Sequence, residues 1–354
     1  MSDTASEQTQ TPAHGLSGLT SVASRPTGTA AFADSAELAV VVRSDFIESR
    51  HAGSAVVLGK DAVVLRSVGA PSAPVFTRSS LKPLQVLAML SLGVELEGAE
   101  LGVATASHSG TPAHISTVWQ MLARAQLSES ALRCPAALPA DVEARAGVRA
   151  AGGAPSPIYH ECSGKHAAML LACVAGGWDL DTYLDPDHPV QKSVVDTVER
   201  LTGEKVAATA VDGCGAPTLA VSLTGLARGI QRIATAQATS PFPLYKKAAS
   251  ITRATREFPW AIHGQGRSDS ILADRLGVFA KRGAEGLMVV AAPDGTTVAL
   301  KVLDGAHRPA TIVALTLLVK AGALSAAAVA AVLPDVVGPV TGGGRVVGEI
   351  RPVV

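Results

Sequence analysis

The sequence has few aromatic residues, few cysteines and no net charge. Phe, Trp and Tyr make up 3% of its 354 residues, so it lacks the aromatic content of a base-stacking surface or a membrane belt. The 30 Lys and Arg residues balance the 30 Asp and Glu residues, which leaves no basic footprint for phosphates, and no nucleic-acid partner is expected. The 4 cysteines are too few for a disulfide scaffold and favour a reducing compartment.

Long hydrophobic runs are also missing. The longest apolar tract, 310–333, is interrupted by Lys320 and Gly322, which predicts two packed helices and no membrane span. Residues 1–35 are rich in Ser, Thr, Ala and Gly, with neither a basic n-region nor an apolar h-region. We interpret them as a disordered leader and not a signal peptide. The sequence therefore predicts a cytoplasmic globular enzyme over residues 36–354, without a membrane partner.

Strand patterns at both ends of the chain enclose a helical middle. Short β-branched runs predict strands over 38–44, 54–59 and 62–69, the last two forming a hairpin at Lys60 and Asp61. Helical spacing is found over 80–92, 112–127, 164–174, 189–201 and 217–236. Strand patterns return on both sides of the turn 293–295 and near the C-terminus. This order predicts an α+β fold with one sheet built from both ends of the chain.

Ser79 and Lys82 stand at the start of the first predicted helix, in the segment RSSLKPLQ. A spacing of three places both side chains on one face of a helix, where a lysine with a depressed pKa can take the proton of the serine. The free amides of a helix N-terminus also favour negative charge on that oxygen. Taken alone, the pair is as well explained by a helix cap and a solvated lysine, because chance supplies about one such motif.

Two further motifs accompany this pair. Ser107 and Ser109 form a Ser-x-Ser motif after the apolar run LGVATA, and Lys281 begins a Lys-x-Gly motif before the strand LMVVAA. The order Ser-x-x-Lys, Ser-x-Ser, Lys-x-Gly resembles that of serine β-lactamases and penicillin-binding proteins, with Ser109 where Asn is usual and Arg282 where Thr is usual.

A closer resemblance covers nearly the whole chain after residue 37. The ordered segments that carry it are VRSDFIESRHAGSAVV, RSSLKPLQ, ASHSG, CSGKHAAML, WDLDTYLDPDHPVQ, DGCGAPTLAVSLTGLARG, GAEGLMVV and VALKVLDGAHR. Together they resemble the asparaginase family of the Rhizobium etli inducible type, also called asparaginase II. Thr111 stands where that family commonly has an acidic residue, so substrate preference does not follow from the resemblance alone.

The resemblance implies an L-asparagine amidohydrolase with a serine β-lactamase-like α+β fold, in which helices and a helical subdomain flank a central antiparallel sheet. It implies a homodimer and a catalytic domain over residues 36–354. Its two Ser-Lys tandems fall on Ser79 with Lys82 and on Ser107 with Lys281. Its zinc ligands, two cysteines and a lysine beside the pocket, fall on Cys162, Lys165 and Cys214, although the spacing alone would indicate buried structural thiols.

The chemistry assigns a role to each tandem. Ser79 with Lys82 supplies an activated nucleophile, and Ser107 with Lys281 can relay a proton to the departing ammonia. The amides at the start of the Ser79 helix are candidate oxyanion donors. Arg78 and Asp212 are candidates for binding the α-carboxylate and α-ammonium of the substrate, with a surface salt bridge as the alternative.

Three functions compete. The first is a Ser-Lys asparaginase, the second is a glutaminase or β-lactam hydrolase of the same fold, and the third is a catalytically silent binding protein. Two intact tandems argue against the silent protein, and the poor match to S-D-N and K-T-G argues against the lactamase. Asparagine and glutamine are not distinguished, since one methylene is worth only about 1–3 kcal/mol of discrimination.

Overall fold

The computed structural model describes residues 28–354, within which there are 11 strands and 12 α-helices. The strands are β1 Ala36–Arg43, β2 Phe46–Leu58, β3 Val64–Val68, β4 Pro74–Phe76, β5 Ala208–Val211, β6 Pro217–Ser222, β7 Phe279–Gly283, β8 Leu287–Ala291, β9 Thr297–Val302, β10 Val340–Gly342 and β11 Arg345–Pro352. The helices are α1 Lys82–Ser91, α2 Gly98–Thr105, α3 Pro112–Arg124, α4 Val142–Ala150, α5 Ser163–Gly176, α6 Pro189–Thr202, α7 Leu223–Ala234, α8 Pro243–Glu257, α9 Trp260–His263, α10 Ser268–Leu276, α11 Ala310–Lys320 and α12 Ala326–Val336.

An eight-stranded antiparallel sheet takes its strands from both ends of the chain. Its order is β10-β11-β1-β2-β9-β8-β7, and β3 pairs with β2 in addition. The hairpin of β8 and β9 turns at Gly295, whose φ of 96° is one that residues with a side chain rarely adopt. The predicted α+β class is confirmed, with a central antiparallel sheet flanked by helices.

Each face of this sheet belongs to a different hydrophobic core. Val289 lies in a large core shared with helices α1 to α3 and α5 to α9, whereas its neighbours Met288 and Val290 lie in a smaller core with α10, α11 and α12. Successive side chains of a strand point to opposite faces. The register pairs Lys281 with Val289 and Arg282 with Met288, so Lys281 faces the helical region and Arg282 faces the opposite core.

A second sheet of three strands, in the order β4-β6-β5, lies beside the helical region. The predicted helix over 217–236 is wrong in its first six residues, which form β6. All six residues of β6 are buried in the middle of this small sheet, and a strand covered on both faces shows no alternation of polar and apolar residues. The helix α7 begins only after Ser222, whose hydroxyl caps it by accepting from Gly225 N at 2.9 Å.

Most other elements lie where the sequence predicts them. Thr111 caps α3, with Pro112 in the first turn, and the tract 310–333 forms the two helices α11 and α12. No helix within 28–354 is both long enough and apolar enough to cross a bilayer. Most of the predicted leader, residues 1–27, lies outside the described range. Its last residues include a short 3-10 turn, Phe32–Asp34, ahead of β1, and the division into leader and catalytic domain stays a prediction.

Candidate active site

Ser79 lies in a tight 3-10 turn, Arg78–Leu81, that leads directly into α1. Pro83 is tolerated in the first turn of α1 because that turn has no intrahelical donor to lose. The neighbouring Ser80 is fully buried, and its hydroxyl donates to Thr77 O at 2.6 Å. Ser79 keeps 9% of its surface exposed, so of these two adjacent serines it is the one open to a ligand.

Gly283 allows the sheet to approach this turn closely. A Cβ at Gly283 would lie 2.8 Å from Thr77 O and 3.2 Å from Ser80 N, closer than side-chain carbons come to backbone atoms. The end of β7 therefore runs directly against the turn that carries Ser79. The glycine of the Lys-x-Gly motif is required by this contact and not by an unusual φ.

Lys82 is buried and its ammonium reaches away from its own tandem partner. Its Nζ donates to Ala106 O at 2.5 Å, to Ser107 Oγ at 3.1 Å and to Glu161 O at 3.4 Å. These acceptors match the three donors of a protonated lysine. Ser79 is not among them, so the hydrogen bond expected within the first tandem is replaced by one that joins the two tandems.

Ser107 is the point at which both lysines meet. Lys281 Nζ donates to Ser107 Oγ at 3.0 Å and to Arg282 O at 2.9 Å. A continuous chain of hydrogen bonds therefore runs from Lys82 through Ser107 to Lys281. Residues 174 positions apart in the sequence share one hydroxyl here.

Two amines so close together cannot both hold a proton without cost. Burial, and next the ammonium of Lys82, lower the pKa of Lys281 from 10.5 to about 7. Near neutral pH, Lys281 therefore exchanges its proton readily. The chain through Ser107 is able to move a proton from one lysine to the other.

Arg78, in the turn that carries Ser79, binds Asp212. Arg78 Nε donates to Asp212 Oδ1 at 2.7 Å, and Asp212 Oδ1 also accepts from Gly213 N at 2.8 Å. Arg78 has a positive φ of 46°, a strained conformation for a residue with a side chain. Both side chains are partly exposed, so the pair offers one positive and one negative group next to Ser79.

The three predicted zinc ligands also meet. Cys162 caps α5, Lys165 lies in the first turn of α5, and Cys214 lies in the turn between β5 and β6. All three are at least 98% buried, and Lys165 Nζ lies 3.2 Å from Cys214 Sγ. Asp212, two residues before Cys214, connects this cluster to Arg78 and the turn that carries Ser79.

The two thiols and the amine of this cluster change one another's pKa values. The hydrogen bond from Cys162 is the main cause that lowers the pKa of the Cys214 thiol, and the same contact raises the pKa of Cys162. Burial lowers the pKa of Lys165, but the two sulfurs outweigh burial and raise it overall. The two sulfurs and the amine are buried and close together. This donor set fits Zn²⁺ once Cys162 and Lys165 lose their protons. Among residues 28–354, no three His, Cys, Asp or Glu side chains cluster as a metal site, so this donor set depends on the lysine.

Several supporting groups of the site carry no sequence motif. The carbonyls of Ala106, Glu161 and Arg282 hold the two lysines, and no pattern of side chains reveals a main-chain acceptor. His108, next to Ser107, contacts Ser163 Oγ at 2.9 Å and is fully buried. Asp269, which binds Arg282, had no expected role because nothing in its local sequence distinguishes it from a helix-start acid.

Comparisons with known proteins agree with the family that the sequence motifs indicate. A family model described as L-asparaginase II matches residues 39–352, nearly the whole described chain. No curated protein sequence is significantly similar. Among solved structures, Mglu in its glutamate form is 12% identical, with a TM-score of 0.45 over 77% of this chain and 61% of Mglu. A Bacillus glutaminase is 10% identical, with a TM-score of 0.43 over 77% of this chain and 91% of the glutaminase. The chain thus spans about three fifths of the length of Mglu, and similarity this low decides nothing about substrate.

Proposed function

The chain belongs to the L-asparaginase II family, a family of amide-bond hydrolases, and we propose that it hydrolyses L-asparagine to L-aspartate and ammonia. The observation that carries this proposal is the hydrogen-bonded chain from Lys82 through Ser107 to Lys281, together with Ser79, the serine of its turn that keeps part of its surface open. Such a chain supplies both proton transfers that amide hydrolysis needs, one from the nucleophile and one to the leaving nitrogen.

Ser79 Oγ attacks the side-chain amide carbon of the substrate. Its proton passes to Lys82 as that amine hands its own proton through Ser107 toward Lys281, the lysine with the pKa of about 7. The main-chain amides at the start of the 78–81 turn stabilise the oxyanion of the tetrahedral intermediate. The carbon–nitrogen bond then breaks as the proton held on Lys281 returns through Ser107 to the departing nitrogen, which leaves as ammonia. Water hydrolyses the remaining ester by the same proton path in reverse.

Arg78 and Asp212 recognise the amino-acid end of the substrate. A zwitterion can exchange into their ion pair, its carboxylate on Arg78 and its ammonium on Asp212, because each partner keeps an opposite charge throughout. Their place next to Ser79 favours a short spacer between this end and the reacting amide. Asparagine has one methylene fewer than glutamine, and this difference supports asparagine as the preferred substrate.

Ammonia release from asparagine and glutamine, measured beside hydrolysis of a chromogenic cephalosporin, tests the proposal. We expect a higher kcat/KM for asparagine and no cephalosporin hydrolysis. A higher kcat/KM for glutamine would make the protein a glutaminase, and cephalosporin turnover would make it a lactam hydrolase. Absence of all three activities in folded protein would favour the catalytically silent binding protein.

We further propose that Cys162, Lys165 and Cys214 hold one zinc ion per chain. Bound there, the ion supplies a fixed positive charge near the pocket, and the Ser-Lys chain already provides the nucleophile. The role of the three residues is to hold the turn that carries Asp212, and through it Arg78, in the conformation that binds substrate. Loss of the ligands should therefore affect substrate affinity more than turnover.

We propose that the protein is a homodimer that uses β5. All four residues of this edge strand, Ala-Thr-Ala-Val, are exposed, and none is charged. An uncharged open edge is prone to pair, and a two-fold axis lets the same strand of a second copy pair with it antiparallel. V211K should produce monomers in sedimentation analysis, whereas V174K, at another exposed valine, should leave the dimer intact. An unchanged dimer in V211K would exclude this edge.

A cytoplasmic location is also proposed. All four cysteines are buried and free within the described chain, including Cys162 and Cys214, which hydrogen-bond to each other without forming a disulfide. The proposed metal site needs both as thiolates, which a reducing compartment preserves. Cell fractionation with an antibody to the native protein tests this location.

A further inference from the structure

Arg282 stands where the Lys-x-Gly motif of related hydrolases has a threonine, and its side chain points away from Ser107. It lies on the reverse face of β7, where its Nε donates to Asp269 Oδ1 at 3.0 Å and its guanidinium also contacts the Ser268 hydroxyl. Asp269, in the first turn of α10, is only 2% exposed. A carboxylate buried this deeply requires a partner, and Arg282 is that partner.

The same residue holds Lys281 through its main chain. The carbonyl of Arg282 accepts from Lys281 Nζ at 2.9 Å. Arg282 therefore binds the amine through its main chain and α10 through its side chain. β7 is an edge strand with β8 as its only strand partner among the described residues. The ion pair with Asp269 supplies the lateral support on the opposite face of β7.

The charges around Lys281 come from several elements. The groups that face it are Lys82 of α1, Glu161 before α5, Asp269 of α10 and Arg282 of its own strand, with His263 and His307 close to the ion pair. Of the two acids, Asp269 acts more strongly on Lys281, and Arg282 opposes it. An uncompensated Asp269 would raise the pKa of Lys281, so that less of the amine would be free to accept a proton at neutral pH.

We propose that the Asp269 and Arg282 ion pair is a positioning unit for Lys281, which aims its amine at Ser107 and shields it from the buried carboxylate. This inference rests on the proposed function only in that Lys281 takes part in proton transfer. The pair acts through Lys281, whose amine the Arg282 carbonyl binds, and not on the substrate itself. The arginine in place of the usual threonine is thus explained by an acid that lies on the far side of the sheet.

Two single variants with opposite expected effects test the pairing. R282Q leaves Asp269 uncompensated and should move the titration of Lys281 about one pH unit upward, while D269N leaves an uncompensated arginine and should move it downward. In the double variant, the titration of Lys281 should return close to that of the wild type. R282K keeps the positive charge beside Asp269 and should also titrate like the wild type. The direct readout is the pH titration of the ¹³Cε signal of Lys281 in lysine-labelled protein, assigned with K281M. The acid limb of kcat/KM should move in the same directions.

The outcomes separate the alternatives. If the pair has a purely structural role, R282Q and D269N would lower the stability of the protein but leave the pKa of Lys281 unchanged. This result would overturn the proposal. D269N keeps the side-chain shape and so tests the proposal even if R282Q does not fold. R275Q, which removes the ion pair between Arg275 at the other end of α10 and Asp335, should leave the titration unchanged. The titration needs no substrate, so an absence of asparagine hydrolysis would refute the proposed function without affecting this result.

Discussion

Lys281 and Lys165 are equally buried, at 2% exposure each, yet their pKa values move in opposite directions. Burial, followed by the ammonium of Lys82, lowers the pKa of Lys281 to about 7. Burial also acts on Lys165, but the adjacent sulfurs of Cys214 and Cys162 outweigh it. The difference shows that the sign of the neighbouring charge, rather than depth in the protein, decides which buried lysine can exchange a proton and which stays a counter-ion.

The largest expected effect comes from the proposed nucleophile Ser79 and from Lys82, whose ammonium lowers the pKa of Lys281. S79A and K82A should each reduce kcat/KM for asparagine by about 10³-fold or more, because nucleophile and base act as a unit. S80A is the matched control, since the Ser80 hydroxyl only donates to Thr77 O, and it should remain active. Substantial turnover in S79A would transfer the nucleophile role to Ser107, which both lysines contact.

The next largest effect is on stability. In the metal-free protein, replacing Lys165 and replacing Lys281 should change the free energy of unfolding differently. K165M leaves the Cys214 sulfur without its ammonium and should lower the free energy of unfolding by about 3 kcal/mol. K281M removes an amine with no anionic hydrogen-bond partner and should be at least as stable as the wild type. Urea denaturation of chelator-treated proteins measures both, and equal destabilisation by the two variants would contradict the comparison.

The pH dependence of this stability follows from the same shifts. Because the pKa of Lys281 falls from 10.5 to about 7 on folding, the unfolded chain binds more protons between these values, and wild-type stability rises with pH across them. The advantage of K281M should thus be greatest below pH 7 and vanish above pH 10.5. For Lys165, whose pKa is raised, the stabilisation is complete below 10.5 and is lost as pH rises through the folded value.

Activity should follow the titration of Lys281. A proton acceptor with a pKa of about 7 is mostly charged at pH 6 and mostly neutral at pH 8, so kcat/KM should rise about tenfold between them. Initial rates in buffers of constant ionic strength give this profile. A flat profile from pH 5.5 to pH 9 would exclude a lysine proton acceptor.

The smallest effect is expected from changes in the cluster of Cys162, Lys165 and Cys214. Wild-type protein should contain one zinc per chain, and C162A should contain none, with a severalfold higher KM and a largely retained kcat. C173A is the matched control, because Cys173 is an equally buried free thiol outside the cluster. Zinc affinity should weaken as pH falls, since Cys162 and Lys165 must lose protons to bind. Wild-type protein that takes up no zinc when it is supplied would refute the site.

Local patterns predicted many elements correctly and failed where burial erased them. Thr111 and Pro112 marked the start of α3, and the breaks at Lys320 and Gly322 separated α11 from α12. The strand β6 falls within a helix that the sequence predicts, because all its residues are buried and its periodicity is lost. A run of apolar residues alone does not distinguish a covered strand from a buried helix.

The sequence by itself determined the family, the α+β class and which serines, lysines and cysteines to examine, because these depend on the identity and order of residues. Only the tertiary structure shows that Lys82 hydrogen-bonds Ser107 in place of Ser79, that Arg78 and Asp212 bind each other, and that Asp269 binds Arg282 on the face of the sheet opposite Lys281. It also decided the opposite pKa shifts of Lys281 and Lys165. Those shifts depend on the charges within a few ångströms of each amine, and folding brings these charges together from distant parts of the chain.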